Sequence, residues 1–329
     1  MNIFMRTFNN KINSKTGAQL PEGQYRGSPE WLQFQSMMIE CMRELGHRVM
    51  ESLEHPLLPP MPTLFPIDKR IVVHKCKRDE EFDLTWMQMN LRDLFTIDTN
   101  GWGADHSQIS KCTEFFPYED EIDSMKFCEE LSDKMHASGL SKCKQDEVTD
   151  MTPEKFILVP VQIPRDYTIK HHSPITVKYF IDSVQAWAVE NKYHVCFKMH
   201  PFNTGDTDLH NSVDEAEKGS SYVHKVKGNI HELIKRSQGV WVINSGTGFE
   251  SLIHGKPVCT FGECDYSYAT FNADIRRLDE ARNFVYSYTE SMRRLAYRFV
   301  YWYLHRHGFW MQDLNMKNRL KAYLQEKLA

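Results

Sequence analysis

The sequence has no Cys-x-x-Cys pair, although it carries eight cysteines (41, 76, 112, 128, 143, 196, 259 and 264). Cys196 and Cys259 fall inside strand-like runs, so the cysteines read as reduced thiols of a cytoplasmic protein. Nor is any apolar run long enough to cross a bilayer: Leu295 to Leu304 is short and broken by Arg298. Met1 to Phe8 lacks the basic and apolar regions of a secretory signal. The expectation is a chain with no transmembrane segment, with peripheral membrane contact left open. A marked excess of either charge is missing too, since 40 Lys and Arg face 44 Asp and Glu. A net charge of -4 argues against wholesale coating of nucleic acid, while a local patch such as Lys225, Lys227, Lys235 and Arg236 would escape that average. A Walker loop and the three-glycine dinucleotide fingerprint are both absent.

What is present is a soluble globular composition, 41% hydrophobic and 26% charged, over 329 residues, enough for two domains of ordinary size. The richest stretch runs from Tyr193 to Tyr268. Within it, 193–201 and 240–258 each read as a buried strand delivering polar residues at its C-terminal end, where open α/β sheets bind ligands. After apolar Val240 to Ile243 comes Asn244-Ser245-Gly246-Thr247-Gly248, then Phe249, Leu252 and Ile253 at helical spacing. A strand, a small-residue turn and a helix N-terminus leave backbone N–H groups facing outward with the positive end of the helix dipole behind them, which suits a phosphate. Ser245 and Thr247 add hydroxyls, and Gly246 and Gly248 permit close approach. The bland alternative is a capped helix packed on a sheet.

Lys198 and His200 alternate with Phe197 and Met199, so they share one side of the strand as it emerges. A cation beside an imidazole suits a nucleotide phosphate. Glu250, near the start of the following helix, is placed to accept hydrogen bonds from ribose hydroxyls, although a glutamate there is also favoured by the dipole alone. Beyond Phe261-Gly262, Asp265, Tyr266 and Tyr268 sit on a loop able to close over a sugar or base.

These residues resemble a known family. Lys-Met-His-Pro (198–201), Asn-Ile-His-Glu-Leu-Ile (229–234), Asn-Ser-Gly-Thr-Gly-Phe-Glu-Ser-Leu (244–252), Gly-Lys-Pro-Val (255–258) and Phe-Gly (261–262) are similar to the capsular polysaccharide synthesis family, which includes Kdo transferases of GT-B-like fold. The likeness is specific from about Phe156 to Tyr268. It implies an α/β, GT-B-like chain with two Rossmann-type domains whose parallel sheets face a cleft. It also implies a metal-independent glycosyltransferase that takes a sugar from a nucleotide-sugar, CMP-Kdo-like or another, to a glycan or lipid-linked saccharide. The nucleotide-sugar is then the donor substrate, and no cofactor is expected. Two other readings stay open: a phage-type transferase acting on modified bases of a DNA acceptor, and a nucleotide-binding protein without catalysis.

Taken in order, Met1 to Thr7 reads as a strand and 11–27 as a polar loop. A helix follows, capped by Ser28 and carrying Trp31, Phe34, Met38, Cys41, Met42 and Leu45 on one face. Gly46 ends it before a second strand, making an opening βαβ unit. Residues 54–66 hold five prolines and read as a loop, and Arg70 to Lys75 as a buried strand. Leu91 to Ser107 ends a strand in a turn crowded with Asp98, Asn100, Trp102, Asp105 and His106. Asp98 and Asp105 are the catalytic candidates, as base or nucleophile, against the alternative of an Asx turn with a surface tryptophan.

Glu119 to Ala137 reads as an amphipathic helix with Ile122, Met125, Cys128, Leu131 and Met135 on its apolar face. The stretch 138–153 is polar and without pattern, and takes the domain boundary. The divisions are 1–153, 154–288 for the nucleotide-sugar domain, and 289–329 for terminal helices returning to the first domain. Phe156 to Gln162 opens the second domain as a strand whose last residue, Gln162, is a further donor-binding candidate. Ile175 to Asn191 is a helix leading back to strand 193–199, a right-handed parallel crossover. Asp206-Thr207-Asp208 is read as a surface turn rather than a metal site, and His171-His172 cannot form a metal site alone.

Overall fold

The computed structural model describes residues 1–7, 29–53, 66–139, 141–143, 145–146, 149–203 and 205–329. The polar loop 11–27, the Ser28 cap and most of the proline-rich segment lie outside the described residues. In chain order the elements are β1 (Asn2–Thr7), α1 (Pro29–Glu44), β2 (Arg48–Leu53), β3 (Lys69–Val73), β4 (Leu84–Gln88), β5 (Leu94–Asp98), α2 (Glu121–Ser138), β6 (Ile157–Pro160), α3 (Tyr167–His172), α4 (Val177–Glu190) and β7 (Val195–Lys198). Then follow α5 (Thr207–Gly219), β8 (Val223–Lys225), α6 (Ile230–Arg236), β9 (Gly239–Val242), α7 (Gly246–Ile253), β10 (Val258–Thr260), β11 (Phe271–Asn272), α8 (Leu278–Ser287), α9 (Glu290–Trp302), β12 (Phe309–Trp310) and α10 (Met316–Leu328). Short 3-10 turns occupy part of 103–118, and a π-turn, Tyr303–His307, follows α9.

The chain divides into two compact units, Met1–Ser110 with Leu304–Ala329, and Lys111–Tyr303. The first holds a six-stranded sheet in the order β12-β5-β4-β3-β1-β2. Its β1 pairs in parallel with β2 and β3, and β3 with β4, whereas β5 runs antiparallel to β4 and β12 antiparallel to β5. The expected βαβ opening is therefore present: Gly46, with φ 84, turns the chain out of α1, and Asn2 registers against Arg48. The apolar stripe of α1 seats Phe34 flat against Phe95, with ring centroids 4.3 Å apart, and α10 adds Leu320, Leu324 and Leu328 to the same core. Burying each such side chain stabilises by roughly 1.5 to 3 kcal/mol.

The second unit holds a wholly parallel six-stranded sheet, β11-β10-β9-β6-β7-β8. Parallel strands with helices on both faces read as continuous apolar runs, and β6, β9 and β10 are buried along their whole length. On one face α4 packs Phe180, Ile181 and Val184 with Val213 of α5 and Ala281 of α8. On the other, α2 packs against α6, α7 and α9. The chain enters at β6, steps outward through β7 and β8, and returns to place β9 on the other side of β6. The switch point of the sheet thus lies between the C-terminal ends of β6 and β9.

Several expectations are corrected. The boundary between units falls at Ser110 and Lys111, not in 138–153, because α2 packs on α6, α7 and α9. Residues 289–329 are divided as well: α9 packs on α2, and only the chain after Tyr303 joins the first unit, where α10 lies on α1. Ile122, placed on the apolar face of α2, is 76% exposed, while Cys128, Leu131 and Met135 are buried. Asp206 to Asp208 lies at the surface as expected but opens a helix and not a turn, since Asp206 caps α5 by accepting the Leu209 N–H at 3.4 Å.

Candidate functional site

At the switch point Gln162 and Asn244 face each other from the ends of β6 and β9. Gln162 Nε2 donates to Asn244 Oδ1 at 2.9 Å, and the Asn244 backbone N–H donates to Gln162 Oε1 at 3.0 Å. Asn244 Nδ2 also reaches the Thr168 carbonyl at 3.0 Å and lies near those of Glu263 and His172 at 3.3 and 3.4 Å. Gln162 was expected to bind donor. Both ends of its side chain instead hold Asn244, so it fixes the strand ends and the entry to α7.

The turn expected to cradle a phosphate is in place. Ser245 is the N-cap of α7, and its Oγ accepts the Thr247 N–H at 3.3 Å. The Gly248 N–H is taken by the Ser245 carbonyl at 2.8 Å, so fewer backbone amides remain open than the sequence implied. Among the described residues, the Gly246 N–H and the Thr247 hydroxyl carry no hydrogen bond, and the Ser245 hydroxyl, an acceptor in the cap, keeps its own proton to donate. Gly248 has a different role from the one expected. A Cβ there would lie 2.5 Å from the Tyr266 hydroxyl, so this glycine admits the tyrosine ring. Tyr266 in turn donates to the Ser245 carbonyl and holds the turn from below.

Two strand spacings away, about 10 Å, β7 ends in Lys198, and His200 follows two residues beyond. The Phe202 backbone N–H donates to His200 Nδ1 at 3.1 Å, which puts the imidazole proton on Nε2. Partial burial lowers the pKa of His200, with Asp166 opposing and Lys198 reinforcing the shift, so the ring offers a neutral N–H donor. Burial also lowers the Lys198 ammonium, against the pull of Asp146 and Cys143. No hydrogen bond or ion pair engages the Lys198 ammonium among the described residues.

Glu250 departs from its expected part. It is 4% exposed, and its Oε1 accepts the Ser141 hydroxyl at 2.8 Å, so it faces the connector before β6 and not an open ribose subsite. Burial raises its pKa to about 7, with Ser141 and Lys142 opposing. Lys142 is exposed; desolvation nonetheless lowers its pKa, against Glu250, Asp166 and Asp265. Ser141 and Lys142 carry no pattern that would single them out, since they lie in the stretch without periodicity. Asp265 and Tyr266, expected on a closing loop, are 3% and 1% exposed, and Tyr303 donates its hydroxyl to Asp265; Tyr268 remains at the surface.

In the first unit, Asp98 ends β5 with a carboxylate already engaged. Its Oδ1 accepts the N–H groups of Asn100, Gly101 and Ser107 at 2.7, 3.0 and 3.0 Å, and its Oδ2 the Ser107 hydroxyl at 2.5 Å. At 1% exposure it anchors the 98–107 loop, the Asx arrangement weighed against catalysis. Asp105 contacts the Arg78 guanidinium. Trp102 is buried against His74, not at the surface. Among the described residues no group of three or more His, Cys, Asp and Glu side chains could hold a metal ion, and no helix is long and apolar enough to cross a membrane.

The family model described as capsule polysaccharide biosynthesis protein matches residues 115–290, more than half of the chain. The chain belongs to that family. The match takes in α2, all of the second-unit sheet and the cluster from Lys198 to Glu250. Protein FixF of Sinorhizobium fredii (strain NBRC 101917 / NGR234) is 34% identical over 122 residues, 36% of this chain and 29% of FixF. The match therefore spans less than a third of that relative's length. Among solved structures, the β-Kdo 2,7 transferase of Thermosulfurimonas dismutans KpsC is similar over 100% of both chains, with a TM-score of 0.54 and 15% identity. The β-Kdo 2,4 transferase of the same protein is similar over 90% of this chain and 96% of its own, with a TM-score of 0.52 and 15% identity. At that identity the likeness is one of fold, and the GT-B-like α/β architecture read from the sequence is the one observed.

Proposed function

We propose that this member of the capsule family is a glycosyltransferase that moves a sugar from a nucleotide-sugar, CMP-Kdo-like or another, to a glycan or lipid-linked saccharide. The observation that carries the reading is the set of uncommitted donors at the carboxyl edge of the second sheet. His200 Nε2, the Lys198 ammonium, the Gly246 N–H and the hydroxyls of Ser245 and Thr247 stand at the ends of β7 and β9, on either side of the switch point. Such donors, fixed before the substrate arrives, stabilise the charge that grows on a departing nucleotide phosphate. In this proposal they do so without a metal ion.

Of the two first-unit acids, Asp98 is spent on its own loop, so Asp105 carries the proposal for acid–base or nucleophilic chemistry, in contact with Arg78. The test is to incubate the protein with CMP-, UDP- and GDP-sugars and saccharide acceptors, with and without EDTA, and to measure released nucleotide. Acceptor-dependent release from one donor class, retained in EDTA, is expected. A protein that neither binds nor turns over any of these nucleotides would overturn the reading.

A further inference from the structure

Beside the donor cluster lies a cavity of about 790 Å3, within the usual range of small-ligand sites. Its walls are the connector after β6, α3 with the turn that follows it, and the first turns of α4 and α5. None of Lys198, His200 and Ser245 to Glu250 lines it. The element it shares with the switch point is α3: Thr168 offers its carbonyl to Asn244, while Ile169 and Lys170 face the cavity.

The lining has two chemistries. Ile175, half-buried, supplies aliphatic surface, with the buried Ile169, Val177 and Leu209 behind it presenting only their edges. The Arg165 and Lys170 side chains stand on the same walls and, among the described residues, make no ion pair or hydrogen bond. Lys178, also at the cavity, is tied to Asp182 at 2.7 Å and is not counted. Asp206 and Asp208 bring carboxylate oxygens, one of them capping α5. A pyranose ring matches this combination. Its C–H face packs on aliphatic side chains, its hydroxyls donate to carboxylates, and an acidic substituent pairs with a guanidinium and an ammonium. The N-terminal ends of α4 and α5 add to the positive field but would not by themselves make a site.

We propose that this cavity binds a sugar bearing an anionic group, carboxylate or phosphate, at a site separate from the donor cluster and not itself the place of transfer. Arg165 and Lys170 hold the anion, Asp208 accepts from hydroxyls, and the aliphatic wall takes the ring. The proposal needs no transfer to occur, so it is tested by binding alone. Glucuronate, glucose 6-phosphate and glucose are titrated separately while the Ile169, Ile175 and Val177 methyl resonances are followed by NMR. Saturable shifts of these methyls with at least one charged sugar, and much weaker ones with glucose, are expected; which charged sugar binds distinguishes carboxylate from phosphate. The double variant Arg165→Gln/Lys170→Gln should weaken that binding by about 10-fold or more, the loss expected when charge-assisted hydrogen bonds are removed. Both side chains are exposed, so the fold should persist, and nucleotide affinity measured on the same sample should stay within about 2-fold. Absence of saturation by both charged sugars, shifts confined to other methyls, or equal binding by the double variant would each overturn the proposal. Loss of nucleotide binding with these shifts intact would count against the donor cluster instead.

Discussion

Gln162 and Asn244 bind each other twice across the switch point of the second sheet, through Nε2 to Oδ1 at 2.9 Å and through the Asn244 backbone N–H to Oε1 at 3.0 Å. The pair sets where β6 and β9 stop relative to each other, and so where the Ser245 turn begins. Asn244→Ala would leave the Gln162 amide and the Thr168 carbonyl without this partner inside the protein. The expected loss is about 3 kcal/mol, from groups that each cost roughly 1 to 3 kcal/mol when buried and unpaired. Urea unfolding measures it, and a change below about 0.5 kcal/mol would show that the pair does not hold the strand ends.

Gly248→Ala should weaken both stability and nucleotide binding, because its new Cβ would lie 2.5 Å from the Tyr266 hydroxyl and 2.8 Å from the ring. Overpacking of this kind typically costs about 1 to 3 kcal/mol. Tyr266→Phe removes the nearest atom but also the bond to the Ser245 carbonyl. The double variant should therefore be less destabilised than the sum of the two single variants, and strict additivity in unfolding experiments would contradict the contact.

Glu250 makes stability depend on pH. Its pKa is raised from 4.5 to about 7 in the folded protein. Between those values the unfolded chain has lost the proton that the folded one keeps, so stability falls as pH rises through this window and is level above it. The shift corresponds to something on the order of 3 kcal/mol. Glu250→Gln should remove this slope and be the more stable form at pH 8. Melting temperatures of both proteins from pH 4.5 to 8 give the difference, and parallel curves would refute the assignment.

Under the proposed function, His200→Ala should reduce nucleotide affinity by about 10-fold or more with an unchanged circular dichroism spectrum, since it removes the Nε2–H that the proposal sets against a phosphate. Because the pKa of His200 is lowered, this contribution should be constant from pH 7 to pH 8. Calorimetric titration at both pH values tests both statements; an affinity lost between them would mean that the imidazolium is the binding form.

The anchoring role of Asp98 predicts that Asp98→Asn destabilises the first unit. An amide in its place can accept through one atom only, whereas the carboxylate accepts through both oxygens. The variant should unfold more easily. Under the Asp105 proposal, any turnover that survives should keep the wild-type pH profile; loss of its acidic limb with unchanged stability would return Asp98 to the chemistry.

The parts of this fold legible in the sequence are those where periodicity and caps agree. The stripe Phe180, Ile181, Val184 of α4 and the strand-turn-helix from Val240 to Ile253 are both observed as read. The unit boundary was not legible, because the amphipathic pattern of α2 says that it packs but not on which neighbour. Side-chain placements at the site were legible only in part. His200 and the Ser245 turn stand at strand ends, where the sequence pattern puts them, whereas the contacts of Gln162 and Glu250 were not legible because their partners, Asn244 and Ser141, are distant in sequence. Lys142 sits in a segment with no repeat of any period, so only the fold brings it toward Glu250.

All eight cysteines are free thiols, and Cys143 alone is not buried. It lies in the connector that carries Ser141 and Lys142, among charges that include Glu250 and Lys198. The protein thus comes with a natural attachment point for a thiol-reactive fluorophore beside its donor cluster. Because burial raises the pKa of Cys143, labelling is best done at mildly alkaline pH, where more of it is thiolate. A dye placed there would report ligand arrival by a change in emission without any engineered residue.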